Sequence, residues 1–254
     1  MPFVAPCRRL ETLAPISWLA CGWEDFKRAP VQSLTFGVSL MVVSWLLAWA
    51  AWTFGGFFVL IGLVSGFIFV GPVMALLLYS VSRQLELGRR PKLAHCLFEG
   101  RRNVANEALM GLVLMVVLLI WARAASMVHV FFPVGSGAIE DILLFLAIGS
   151  VVGSVFALII FSATAFSLPM ITDRQTDMIT AVITSVNAVL RNKPAMAVWA
   201  AIIVLGLLIG FLTAFLGLAV ILPVIGYATW HGYRDAIDAS AWPPHPDPRR
   251  PSTS

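Results

Sequence analysis

APVQSLTFGVSLMVVSWLLAWAAWTFGGFFVLIGLVSGFIFVGPVMALLLYSVS, residues 29–82, holds no Asp, Glu, Lys or Arg. A bilayer span takes about 20 consecutive apolar residues. This stretch therefore has room for two, with Gly55-Gly56 near its middle as the turn. Helix one is expected at Leu34 to Phe54 and helix two at Phe57 to Tyr79. The rest of the chain follows suit, being 59% hydrophobic and 12% charged with a mean hydropathy of +0.90. Ordinary soluble domains are about half apolar and about a quarter charged. A third span is expected from about Ala108 to Phe132, ended by Pro133 and Gly135-Ser136-Gly137, and a fourth from Ile142 to about Leu168. Ala195 to Tyr233 is again free of formal charge and reads as two short spans turning near Phe215 to Gly217.

Charge placement selects that reading. With six spans, one side of the membrane collects Arg8, Arg9, Lys27, Arg28, Arg83, Arg89, Arg90, Lys92, Arg101, Arg102, Arg174, Arg191, Lys193, Arg234, Arg249 and Arg250, which are 16 of the 17 basic residues. The other side carries Glu140 and Asp141 and no Lys or Arg. By the positive-inside rule both termini and the long loops are expected in the cytoplasm, the spans in a bacterial-type inner membrane. The first twenty residues lack a continuous apolar segment, so no cleaved signal is expected. Cys7, Cys21 and Cys96 form no CxxC pair and fall on the reducing side, so no disulfide is expected.

The chain repeats a unit of amphipathic leader, span, turn and span. Trp18, Leu19, Trp23 and Phe26 share a helical face ahead of helix one, and Leu93, Leu97 and Val104 do so ahead of helix three. The third leader is expected as an interfacial helix from about Asp177 to Arg191, with Ile179, Val182, Val186 and Val189 shielded and Thr184, Asn187 and Arg191 facing water. Each even-numbered span carries a proline, at Pro72, Pro169 and Pro223, whose freed carbonyl needs a partner from elsewhere. The expected fold is all-α: a polytopic transmembrane bundle of six spans as three hairpins with amphipathic interfacial leaders. Its parts are an N-terminal cytoplasmic segment (1–33), the membrane domain (34–233) and a Pro-rich, disordered cytoplasmic tail (234–254).

Gly22-Trp23 with Asp25, Pro30, Ser33-Leu34 and Gly37, then Gly66-Phe67, Gly71-Pro72, Tyr79, Ser82-Arg83, Glu86 and Gly88, resemble an uncharacterised bacterial family of predicted integral membrane proteins, a domain of unknown function (DUF2189-like). Ser167-Leu168-Pro169, Asp173-Arg174, Asp177, Ala181, Ser185, Asn192, Trp230, Tyr233 and Asp235 continue the resemblance, which spans roughly Trp18 to Asp235. It implies a six-span inner-membrane protein and supplies no catalytic or binding residues. Members of such families sometimes carry a respiratory oxidase label. A haem-copper catalytic subunit needs six His ligands within its spans; this chain has four His in all, with His95 and His245 in cytoplasmic segments.

Arg123 is the only formal charge placed within a span, where a charge must be paired, hydrated or able to snorkel. Glu140 and Asp141 in the outer loop are its expected partners. The alternative reading is an anionic ligand or lipid headgroup on Arg123. His129 alone, and His95 beside Cys96, are too few donors for a metal. Trp45, Trp49 and Trp52 form a stripe on helix one, read as packing and aromatic belt. Gly62/Gly66, Gly149/Gly153 and Gly206/Gly210 have GxxxG spacing, read as intramolecular packing with a homodimer face as the alternative. Arg89, Arg90, Lys92, Arg101 and Arg102 flank the second leader and are expected to meet anionic inner-leaflet lipid; no nucleic-acid motif accompanies them.

No GxSxG elbow, HExxH helix or phosphate loop occurs, and neither an enzymatic activity nor a cofactor is expected. The reading is a non-enzymatic structural or accessory membrane protein that binds lipid or another membrane complex. The alternative is a small-molecule transporter or channel, against which stands the lack of an Asp or Glu well inside any span.

Overall fold

The computed structural model describes residues 3–54, 75–94, 96, 104–131 and 139–245. These form α1 (Ala14–Arg28), α2 (Pro30–Phe54), α3 (75–86), α4 (Val104–Phe131), α5 (Ile139–Thr164), α6 (Ser167–Asp173), α7 (Met178–Arg191), α8 (Lys193–Leu212) and α9 (Leu218–Ala236). No strand occurs among the described residues, only two isolated antiparallel bridges, Cys7 with Ile237 and Arg174 with Pro244. Four stretches within them are long and apolar enough to cross a membrane: Pro30–Ala50, Ala108–Val128, Leu143–Asp173 and Lys193–Leu212. Most of expected helix two lies outside the described residues, and its C-terminal part runs on past Tyr79 to residue 86. α9 is not among the four, because its last turns carry Trp230, His231, Tyr233, Arg234 and Asp235.

Prolines set the boundaries. Pro15, Pro30 and Pro194 sit in the first turns of α1, α2 and α8, where a missing N–H costs nothing. The fourth apolar segment breaks at Ala165-Phe166, before Pro169, whose ring cannot coexist with a regular helical carbonyl at Ala165. There the Phe166 N–H donates to Ser185 Oγ at 3.0 Å, and the Ser185 hydroxyl donates to the Ser162 carbonyl at 2.8 Å. A hydroxyl from α7 thus stands in the gap left in the helical ladder. Between α8 and α9 the chain turns through Ala214 and Phe215, both at positive φ. The Thr213 hydroxyl accepts from the Gly217 N–H at 2.9 Å, and Trp45 Nε1 of α2 donates to the Ala214 carbonyl at 2.7 Å. Gly206 of α8 faces Ile221 and Ile225, and Gly210 faces Leu218, so the two helices lie antiparallel.

Among the described residues the densest packing lies at one end, not along the spans. α1 crosses α9 in the opposite sense, with Gly22 against the backbone of Val224 and Ala228 and the Trp18 ring over Gly232. Trp18 meets Trp199 and Phe166 edge-on at 5.8 and 6.2 Å. The expected leader face therefore divides: Trp18 is buried, whereas Trp23 stacks on Phe26 and stays half exposed. The apolar stretch of α4 is mostly bare, and residues 143–164 of α5 include no buried one. Such flanks suit hydrocarbon, which is as apolar as the side chains themselves.

Two expectations are corrected. Residues 237–245 are not a free tail. The Arg8 N–H donates to the Ala236 carbonyl at 2.8 Å and the Asp238 N–H to the Pro6 carbonyl at 2.9 Å, and the Gln175 N–H donates to the Pro243 carbonyl at 2.9 Å. Ile237 and Trp242 enter the core, and this apolar content explains the order; 246–254 lie outside the described residues. On α7 the buried residues are Met178, Thr180, Ala181, Thr184, Ser185, Ala188 and Val189, with Val182 and Val186 half-buried; Asn187 and Arg191 are exposed as expected, and Ile179 and Leu190 are exposed too. Thr184, expected in water, accepts a hydrogen bond from the Ala5 N–H at 3.2 Å. Close approach of the N-terminal segment favours small residues on the side it covers and leaves Ile179 and Leu190 on the outer surface.

Asp177 caps α7, its carboxylate accepting from the Thr180 N–H at 2.9 Å. That backbone hydrogen bond stabilises the carboxylate and holds its pKa below the ordinary value. The stability it contributes is present above the unfolded-state value near 4 and is lost as pH falls through the lower folded value. Asp177→Ala should cost about 1 kcal/mol at neutral pH. Asp177→Asn should keep the cap and remove the acid dependence. Amide exchange of the first turn of α7 at two pH values measures both; equal protection in all three proteins would refute the cap.

Candidate functional site

Two buried carboxylates organise the packed end. Asp25 lies in the last turn of α1, 4% exposed, where the negative end of the helix dipole disfavours it. It is held there from two other helices: the Ser82 hydroxyl of α3 donates to Asp25 Oδ2 at 2.7 Å, and His231 Nε2 of α9 lies 2.8 Å from the same oxygen. The set Asp, His and Ser has the composition of a hydrolytic triad but not its wiring. Ser82 bonds to the carboxylate and not to the imidazole, so the relay from serine through histidine to aspartate is not formed. Above this group Ser33 and Tyr227 share a buried hydrogen bond of 2.8 Å between α2 and α9.

The second carboxylate is Asp173 at the end of α6. Tyr233 OH donates to it at 2.8 Å, Arg174 Nε at 2.9 Å and Arg234 Nη1 at 3.4 Å, and Arg83 Nε approaches to 3.9 Å. Glu86 of α3 completes the set, Oε1 accepting from Arg234 Nη2 at 2.8 Å and Oε2 from Trp230 Nε1 at 3.0 Å. Trp18 Nε1 donates to Asp235 Oδ2 at 2.9 Å. The ends of α1, α3, α6 and α9 are thereby tied into one polar layer, and Arg174 Nη1 extends it to the Trp242 carbonyl at 3.1 Å.

Asn192 pins the N-terminal segment to the same layer, accepting from the Leu10 N–H and donating to the Arg8 carbonyl, both at 2.9 Å. Cys7 beneath it is buried, which pushes its thiol up, partly offset by a hydrogen bond from Asn187. Among the described residues no three His, Cys, Asp or Glu side chains converge on a metal position. The arrangement presents ion pairs and hydrogen bonds between neighbouring helices and can fix their ends relative to one another.

Arg123 is exposed on α4 and Glu140 is exposed in the first turn of α5, with no ion pair between them. The side chains of Asp141 and His129 lie outside the described residues. Of the expected lipid contacts, Arg90 and Lys92 are exposed, Arg89 is half-buried, and Arg101 and Arg102 lie outside the described residues. Trp45 anchors the α8–α9 turn while Trp52 is 91% exposed. Gly206 and Gly210 pack within the molecule; a Cβ on Gly149 would meet nothing.

Asp25, Ser82, Arg83, Glu86, Asp173, Arg174, Trp230, Tyr233 and Asp235, which carry the resemblance, are among the residues that build this layer, together with Trp18, His231 and Arg234. The family model described as predicted integral membrane protein (DUF2189) matches residues 58–173, a narrower segment than Trp18 to Asp235. No curated protein and no solved structure matches the chain.

Proposed function

We propose that this integral membrane protein has six spans in the inner membrane with both termini in the cytoplasm, and acts without catalysis as a structural or accessory component that binds lipid or another membrane complex. The observation that carries the reading is the polar layer. The segments 5–10 and 237–245, α1, α7 and the charged ends of α3, α6 and α9 meet there, on the side that the basic residues assign to the cytoplasm. Buried charge is closed by partners on neighbouring helices, which suits a rigid platform more than an ion path. Coupled carriers need carboxylates free to exchange a proton or ion.

Reporter fusions at Gly88, Asn187 and Ser254 should report cytoplasm and those at Gly55, Gly135 and Gly217 the outer side; an inside report at Gly217 would reduce the span count. A pull-down in mild detergent should recover a stoichiometric membrane partner or tightly held lipid. Uptake of a small solute by the purified protein in vesicles would replace this reading with transport.

A further inference from the structure

α1, α8 and α9 enclose an apolar groove of about 640 Å³. Leu19, Ala20 and Trp23 of α1 roof it; Leu205 of α8 and Ile221 and Ile225 of α9 are among its walls. Every lining residue is apolar, so water entering it would find no partner. The α8 wall belongs to the candidate span Lys193–Leu212, and the groove residues Ile202 to Ile209 lie roughly 14–24 Å beyond Lys193 at 1.5 Å per residue. The groove is therefore at hydrocarbon depth, under an interfacial helix.

The roof ends in charge. Lys27 and Arg28 occupy the last turn of α1 and are exposed, Arg28 beside Glu24 at 3.4 Å. Lys27 stands one turn past Trp23 on the same side of the helix, and a Trp at the mouth of such a groove sits where indoles favour the headgroup boundary. An aliphatic slot with a basic end matches one ligand chemistry.

We infer that this groove holds one acyl chain of an anionic phospholipid from the cytoplasmic leaflet, with its phosphate at Lys27 and Arg28. The assignment rests on the membrane reading above and names the ligand class and place. A bound chain would fill the space beneath α1 and fix the angle at which α1 meets the bilayer. An annular lipid touching a bare helix would exchange freely; one roofed by α1 would be retained on purification.

The full chain, reconstituted in vesicles of phosphatidylcholine with or without phosphatidylglycerol and re-extracted in mild detergent, is examined by native mass spectrometry. One retained phosphatidylglycerol per chain is expected. Ala20→Trp should abolish retention by filling the groove, with Leu205→Trp as a second filling variant should the first fail to fold. The double change Lys27→Glu, Arg28→Glu should lower the preference for phosphatidylglycerol about tenfold or more, as expected for two basic residues at an anionic headgroup. Unchanged retention in a folded filling variant, equal retention of both lipids, or a dimer in place of bound lipid would each overturn the proposal. Failure of the membrane reading is separate: it would appear as release of the untreated chain from membranes by alkaline wash.

Discussion

Asp173→Leu should destabilise the folded protein by about 3–5 kcal/mol, the range found when one partner of a buried ion pair is removed and the other is left behind. Asp173 is 6% exposed and receives Tyr233, Arg174 and Arg234, with Arg83 at 3.9 Å. Its loss leaves Glu86 as the remaining carboxylate against these guanidiniums and orphans the Tyr233 hydroxyl. Tyr233→Phe removes one hydrogen bond and nothing else, and should cost about 1 kcal/mol. Asp173→Asn should fall between, keeping an acceptor but not the charge. Thermal denaturation in one detergent at one ionic strength ranks the three. A Leu variant no worse than Tyr233→Phe would mean that the arginines are relaxed by solvent and that the layer is not closed.

The fold class was legible because hydrocarbon imposes a length on any span, and runs such as 29–82 and 195–233 meet it without a charge. The break at Pro169 was legible because proline lacks a backbone donor, and the turn near Phe215 because charge placement requires two spans between 195 and 233. What the sequence could not supply was partnership across distance. Asp25 and His231 are 206 positions apart and Glu86 and Trp230 are 144 apart, and no periodicity links them. The resemblance pointed to these positions without giving them roles. Rarity was the available signal: in a chain that is 12% charged, a carboxylate at the end of an apolar helix needs a partner. Arg123 is a rare charge by the same measure, but it lies exposed on α4, away from this layer. On α7 periodicity found the helix, and Val189, Asn187 and Arg191 lie as it required; it put Thr184 in water because patterning does not foresee a chain segment that covers a polar side chain. Where lipid is the outside, Ile179 and Leu190 turn outward and Thr184 and Ser185 turn in.

Gly37→Val should be the most damaging single change in α2. A Cβ on Gly37 would coincide with the carbonyl oxygen of Ala219 in α9, an atom of the backbone that cannot rotate away. The contact follows from the sequence of α9. Pro223 has no N–H, so the Ala219 carbonyl four residues earlier loses its regular helical donor. It points instead at the Cα of Gly37, where a weak C–H···O contact is available only if no side chain intervenes. Forcing the helices apart there also strains the Ser33–Tyr227 hydrogen bond on one side and the Trp45–Ala214 bond on the other. The cost should therefore reach or exceed the usual 1–3 kcal/mol or so of overpacking. Gly149→Ala, at a helical glycine with nothing within 4 Å, should be neutral or stabilising by up to about 1 kcal/mol through helix propensity. The two glycines thus separate close approach from backbone freedom. A second change tests the cause: Pro223→Ala returns a donor to α9 and should draw the Ala219 carbonyl back toward its own helix, recovering part of the stability lost in Gly37→Ala. If Pro223→Ala adds its own penalty instead, the proline is not what turns that carbonyl toward α2, and the fit between α2 and α9 rests on shape alone.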